Sequence, residues 1–482
     1  MSWKNNTSGV SDYYEAPVVK KRMAQYLGGE TLEDATAIYV TRCDSWTKLK
    51  TIKKPSELDF FLGGQSDVGR SLWDKKYLIA HLDIEYVNFD FPAEPYLDQE
   101  RSFSLQVPLV DTIKKILAQY GIAPFHLVTG RGHHFTWLLR QDSEAFKKLK
   151  DCGHLSRYLA KFYRMGHGPE GESITRDLAK AYSGLGLVLE SLVWRVLVSG
   201  SLGTEIPVKP FCSPEKKCER GWEALIVDIS EYGDPLHTRM IRLPFSLYLK
   251  PWEEDVLSEG GIGPKTGLSC AIPGDGLDTS LFAEVTHNPE RILDLAAGSD
   301  AHIPDTSVEM EKLIMDYERS RVKYYHDWFF SREQCRPSEW PRTYDLFSLS
   351  ALPPCARKIL TEPNDLLLKP VCIDYLVKIL LSLGWHPRHI AGIMRSKYER
   401  DHAWGDLWYH YDAGLRADFY CRVITSGIFL GTDKLDTFGC ELPRKFCYCE
   451  KDCPGLEKYR LSLLKRRDDG KLASSPFNRL LL

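Results

Sequence analysis

Asp83 and Glu85 stand one residue apart within the run LIAHLDIEYV. On a β-strand that spacing puts both carboxylates on one face and turns Leu82, Ile84 and Tyr86 to the other. Two carboxylates held so close repel and shift each other's pKa unless a cation lies between them. Hard divalent ions such as Mg²⁺ or Mn²⁺ are the natural occupants of such a pair; the bland alternative is an exposed sheet face. A second element, Thr129-Gly130-Arg131-Gly132-His133-His134, is a glycine-interrupted turn between two strand-like runs. Glycines there let a phosphate approach main-chain N–H groups, with Arg131 and a histidine adding charge; an ordinary solvent-facing hairpin is the competing reading. The third element is EALIVDISEYGDPLHTRMIRLPFSLYLKP, in which Asp228 closes an apolar run. Asp228 can complete a three-carboxylate metal site or simply cap a turn, and Arg242 or Lys250 can meet a triphosphate.

A second set of chemistry-bearing residues is sulfur. Cys355 and Cys421 precede a C-x6-C-x-C-x3-C run formed by Cys440, Cys447, Cys449 and Cys453. That exceeds the four thiolates that tetrahedral zinc or a four-iron cluster takes, and the charged setting does not suit buried free cysteines. Zinc knuckles of the C-x2-4-C kind fit only the last three, whereas single ligands far apart in sequence suit an iron–sulfur domain. Cys372, inside an apolar helix pattern, reads as a buried free thiol. Cys212 and Cys218, with Cys152 or His154, are half a zinc site at most.

Positioning these residues takes a chain of 482 residues, enough for two to four domains with cores of their own. Hydrophobic residues at 43 % and charged residues at 27 % exclude global disorder and fibrous repeats. A formal charge of -3 requires that any nucleic-acid-binding charge be local to a groove. The polar start MSWKNNTSGVSDYYEAP lacks a secretory pattern, so a cytoplasmic or nuclear, non-secreted protein is expected. The apolar stretch 185–203 is interrupted by Glu190 and Arg195 and reads as buried core, with no membrane partner.

Strand-like runs at 37–43, 77–87, 125–130, 133–139 and 223–229 alternate with a helix-like run at 108–121, which predicts an α+β or α/β sheet domain. A Gly, Pro, Asp and Ser-rich break runs from Ser258 to Pro304. Helical periodicity follows over 310–330 and 371–384, so the second half is expected to be mainly helical and cysteine-ligated. The expected division is a catalytic domain over 1–275, a linker and connecting helix over 276–345, a cysteine domain over 346–460 and a tail over 461–482.

Taken in order, the D-x-E strand, the glycine turn and the later aspartate strand resemble the catalytic subunit of the archaeo-eukaryotic primase superfamily. RMIRLPFSLYLKP followed by Lys265-Thr266-Gly267-Leu268 resembles that family's R/K-x-P-x-S-x-H and K-T-G segment. Thr129 stands where the family usually has Ser, and Tyr248 where it has His. The resemblance spans roughly residues 35–275 and implies an α+β fold with a primase-type mixed sheet. It implies that Asp83, Glu85 and Asp228 bind Mg²⁺ or Mn²⁺ and are catalytic. It also implies that Thr129, Gly130, Arg131, His134, Arg242 and Lys250 contact the nucleotide. The pattern P-P-C, a helix, an isolated cysteine, then G-C and a last cysteine before P-x-L-x-x-Y resembles the C-terminal domain of the primase large subunit. That implies a [4Fe–4S] cluster, zinc being the alternative, on Cys355, Cys421, Cys440 and Cys449, with Cys447 or Cys453 as other choices for the fourth ligand.

The implied activity is primer synthesis from NTPs or dNTPs on a single-stranded DNA template, with a replicative helicase as a candidate partner. A repair polymerase that extends primers without starting them, or a non-catalytic single-strand-binding subunit, are the rival readings. The stretch 386–411 offers Arg388, Arg395 and Lys397 to phosphates and Trp404, Trp408 and Tyr411 for stacking, or else packs a helical core. The tail ends on Phe477, Leu480, Leu481 and Leu482, a partner-docking peptide or a frayed terminus.

Overall fold

The structure, a computed structural model, describes residues 12–43, 51–199, 202–253, 256, 269–349, 352–400, 411–435, 439–447, 449, 456, 459 and 461. Lys265 to Leu268, Trp404, Trp408, Cys453 and the tail from Lys465 lie outside the described residues.

Alternation of β-branched and aromatic residues with polar ones builds the strands β1 (Val40–Arg42), β2 (Val68–Ser71), β3 (Tyr77–Asn88), β4 (Phe125–Val128), β5 (Gly132–Arg140) and β6 (Val208–Lys209). They continue as β7 (Lys217–Cys218), β8 (Gly221–Asp228), β9 (Met240–Arg242), β10 (Leu247–Tyr248), β11 (Ser269–Cys270) and β12 (Ile272–Pro273). The main sheet runs β12-β4-β5-β3-β8-β6, with β7 paired to β8. All its pairings are antiparallel except β6 with β8, so the sheet is mixed and the fold is α+β. Smaller sheets of β1-β2-β9 and β10-β11 flank it. β3 is its longest strand, and the buried Leu82, Ile84 and Tyr86 hold one of its faces in the core.

The helix Gln99–Tyr120 starts where the Asp98 side chain accepts the Arg101 N–H and stops at Gly121, whose φ of +85° admits the left-handed turn. It packs on β3 through its apolar stripe, including Leu109, Ile113 and Leu117. The helix Arg176–Val198 is capped by Thr175 and is long and apolar enough by composition to cross a membrane, but 72 % of its apolar window is buried inside the protein. It serves as a core helix against β3 and against the helix Glu144–Cys152.

The segment expected as a linker is built into the first half. Helices Thr279–Thr286 and Pro289–Gly298 pack on Gln99–Tyr120 and Pro17–Tyr26, Arg22 donates to the Ala296 carbonyl, and Leu138 pairs with Asp305. Periodicity over 310–330 is also interrupted. Ser320 caps a new helix by accepting the Lys323 N–H, giving Glu309–Glu318 and Arg321–Phe330. The second half is helical, with Pro370–Ser382 buried nearly all round between Pro387–Arg400 and Ala413–Leu430.

Buried charge joins the two halves. Arg416 reaches Asp234 at 2.9 Å, and Arg422 reaches Glu190 at 2.7 Å with His326 at 3.1 Å on the other carboxylate oxygen. Burial pushes the Glu190 carboxyl up, but Arg422 and His326 more than offset it and draw it from 4.5 to about 2. A depressed carboxylate contributes stability above its unfolded pKa and loses it as the pH falls through the folded value. Glu190→Gln, which strands Arg422, is therefore expected to cost ~3–5 kcal/mol at neutral pH in urea unfolding. The gap to wild type is expected to close as the pH is lowered from 4.5 towards 2.

Candidate catalytic carboxylate site

β3 supplies the centre of the site because its two edges receive different partners. On one side Asp83 pairs directly with Asp228 of β8, and on the other it faces His134 of β5. Glu85, two residues along, shares the face of Asp83 and lies opposite Gly132 on β5. A side chain at Gly132 has no room, since a Cβ there would sit 2.0 Å from the Ile84 carbonyl oxygen. The close β5–β3 approach is what brings the Thr129–His134 turn over the carboxylates. Within the turn Thr129 N–H donates to the Gly132 carbonyl at 2.8 Å, while Gln99 and Gln106 donate to the carbonyls of Gly130 and Arg131.

The resulting charges are unevenly satisfied. Arg131 donates to Glu85 at 2.5 Å, and His134 Nε2 lies 3.4 Å from Asp83 Oδ1. Burial and then the repulsion of Glu85 and Asp228 push the Asp83 carboxyl well above its ordinary range. Burial acts the same way on Glu85, but the cations Arg131 and Lys250 overcome it and leave Glu85 below its usual value. Asp228 is also raised by burial, against the Ser230 N–H that its carboxylate accepts at 2.8 Å. Asp228 thus caps the turn after β8 and faces Asp83 as well. Burial, with His81 and Lys250 nearby, holds His134 well below its ordinary value, so it is a neutral imidazole at pH 7. Asp83 Oδ1 is buried without a hydrogen-bond partner, which suits a cation.

Arg242 is placed differently from the nucleotide contact that the resemblance implies. It is buried, paired with Asp67, bonded to the Leu247 carbonyl at 3.1 Å and stacked 4.4 Å over the Tyr248 ring. Tyr248 in turn fills the space over Gly130, where a Cβ would meet its ring at 2.5 Å. Arg242 therefore props the glycine turn through Tyr248. Lys250 lies near enough to Glu85 to lower its pKa.

His81 and Glu231 belong to the same cluster. His81, two residues before Asp83, follows the alternation that places Asp83 and Glu85 together, so its position on this face was legible. Glu231 comes from a short turn, Ser230–Gly233, and nothing periodic marks it. The turn is fixed by Tyr232, whose hydroxyl accepts the His81 N–H and donates to the His81 carbonyl.

The cysteines gather in another grouping than the expected one. Cys372 and Cys447 form a disulfide, and Cys355 and Cys449 both lie against Tyr375, one turn from Cys372 on the helix Pro370–Ser382. Cys421 is buried in the helix Ala413–Leu430, near Asp418 and Arg388, and Cys440 caps the short helix Glu441–Phe446. Cys212 stands by Arg131 and Glu85, Cys218 by Glu223, Cys152 by Lys323, and His154 stacks on Phe330 at 3.6 Å, so they build no common site. Among the described residues no group of three His, Cys, Asp or Glu side chains is already disposed as a ligand set.

Basic residues of the 386–411 stretch are largely engaged: Arg388 with Asp418, Arg395 with Glu399 and Lys397 with Asp345, while Tyr411 packs on Arg416. Arg388, Arg395 and Arg422 nevertheless line a cavity of about 650 Å³ between the two halves, joined by Arg157, Arg176 and Arg336.

No protein-family model, curated protein or solved structure matches the chain.

A carboxyl raised in the folded state destabilises the fold increasingly as the pH climbs through its folded pKa. Asp83→Asn is therefore expected to raise the melting temperature of the metal-free protein at pH 7 by about 2 °C. The gain should vanish below 3.8, where the acid is neutral in both states. Calorimetry with and without Mn²⁺ should also show the ion stabilising wild type more than the variant.

Proposed function

We propose that this chain is a nucleotidyltransferase of the primase or primase-polymerase kind, joining nucleoside triphosphates on single-stranded DNA. One observation carries the reading: β3 sets Asp83 opposite Asp228 with Glu85 on the same face, under a glycine turn bearing Arg131 and His134. Asp83, Glu85 and Asp228 would hold Mg²⁺ or Mn²⁺, and Asp83 Oδ1, buried without a hydrogen bond, fits that demand. Bound there, divalent ions supply charge stabilisation at the attacking and leaving oxygens of an in-line displacement.

The protein's own groups position the substrate. Glu85 holds Arg131 in the resting site; were Glu85 to help hold a divalent ion instead, the Arg131 guanidinium would be left to bind a triphosphate bidentately. Lys250 adds a second cation on the same side, and Tyr248 keeps the turn in place beneath the phosphates. His134, neutral at pH 7, donates a hydrogen bond without adding charge. The arginine-lined cavity between the halves offers a track for template phosphates, with the exposed Tyr158 as a stacking face.

In the same reading Cys355, Cys372, Cys447 and Cys449, when reduced, supply the thiolates of the [4Fe–4S] cluster, or of zinc. This set keeps Cys355 and Cys449, which lie beside Tyr375, and replaces Cys421 and Cys440 with the bonded pair Cys372 and Cys447. Anaerobic reconstitution is expected to give an absorbance band that Cys372→Ser abolishes and Cys421→Ser leaves intact; the reverse pattern would restore the Cys421 assignment.

The activity is tested by synthesis on unprimed single-stranded DNA with labelled ATP or dATP and Mn²⁺ or Mg²⁺, beside a primed control. Products on both templates are expected, with Asp228→Asn reducing incorporation by ~100-fold or more. Products on the primed template alone would identify a repair polymerase, and DNA binding with no incorporation a non-catalytic subunit.

A further inference from the structure

The face of β3 that carries Asp83 also carries His81, which is 3 % exposed. His81 Nδ1 meets both carboxylate oxygens of Glu231, at 3.1 and 3.2 Å. A carboxylate only accepts, so Nδ1 carries the proton and, in the neutral ring, Nε2 presents its lone pair. That lone pair is buried and unsatisfied. The His134 ring lies edge-on to the His81 ring, with ring centroids 4.8 Å apart, and His134 Nδ1 is likewise buried without a hydrogen-bond partner. Beyond His134 is the third such atom, Asp83 Oδ1, 3.4 Å from His134 Nε2. Three buried unsatisfied atoms on touching side chains are costly, since each forfeits its hydration without replacement.

An imidazole whose far nitrogen is held by a carboxylate is the usual form of a metal-bound histidine, the carboxylate fixing tautomer and ring plane. Glu231 is itself held in place, because Tyr232 bonds the His81 backbone and Gly186 leaves room for the Tyr232 ring, where a Cβ would approach to 2.7 Å. We propose that His81 Nε2, with His134 and Asp83, binds a divalent cation, and that these nitrogen ligands make the site select a first-row transition ion such as Co²⁺ or Mn²⁺ over Mg²⁺. Imidazole suits transition ions, whereas Mg²⁺ is served by carboxylate, carbonyl and water oxygens. The set closes by side-chain rotation about the ion, starting from rings and carboxylate already in contact. The proposal rests on the reading that the Asp83 cluster holds metal, and it adds the identity of the ligands and of the ion.

The test is Mn²⁺ electron paramagnetic resonance on the full chain, with pulsed detection of ¹⁴N modulation from directly bound imidazole. Wild type is expected to show modulation that weakens in His81→Gln while Mn²⁺ stays bound. Glu231→Gln, with fold checked by circular dichroism, is expected to weaken Mn²⁺ binding by ~10–100-fold and to leave Mg²⁺ binding unchanged. Bound Mn²⁺ without ¹⁴N modulation, or with modulation indifferent to His81→Gln, would overturn the imidazole ligation and leave the carboxylate site standing. Folded wild-type protein that binds no Mn²⁺ would overturn both.

Discussion

The mutual repulsion of Asp83, Glu85 and Asp228 is the constraint around which the rest of the sheet domain is arranged. β3 and β8 are paired in a register that sets one aspartate directly opposite the other, and nothing in the pairing itself compensates them. Like charges gathered in a half-buried setting repel, so the fold has to supply cations or favour a proton on one of the acids. It does both: Arg131 and Lys250 lower Glu85, while Asp83 is raised well above its ordinary range. A sheet built only for stability would not gather three such half-buried groups on one face.

Support for this arrangement extends outward in layers. The glycine turn delivers Arg131 because Gly132 lets β5 come against β3, and Tyr248 holds the turn from outside. Arg242, buried against Asp67, stiffens Tyr248 in its turn. On the opposite edge Asp228 closes the turn that carries Glu231 to His81. The helical half is fastened to this region by Arg416 on Asp234 and Arg422 on Glu190, so the turn after β8 is shared between the site and the junction of the halves.

Much of this was legible in the sequence where physics is local. Alternation in LIAHLDIEYV placed Asp83 and Glu85 on one face, and apolar runs marked β4, β5 and β8, since a two-residue period is a direct consequence of strand geometry. The same alternation included His81, whose significance depends on Glu231, a residue delivered by a non-periodic turn. Long-range pairings left no such trace. Arg242 met Asp67 from 175 residues away, and Cys372, legible only as part of an apolar helix, met Cys447 from 75 residues away. The break rich in glycine and proline pointed to a linker, but its helices were recruited to the first half through contacts with Pro17–Tyr26 that composition does not encode.

The most direct test of the central claim is a crystal structure of the full chain grown with Mn²⁺ and a non-hydrolysable nucleoside triphosphate, read by anomalous scattering at the manganese edge. Manganese is expected within coordination distance of Asp83 and Asp228, with Arg131 released from Glu85 and turned onto the triphosphate. Manganese found elsewhere, with the Arg131–Glu85 pair intact and the carboxylates bare, would contradict it.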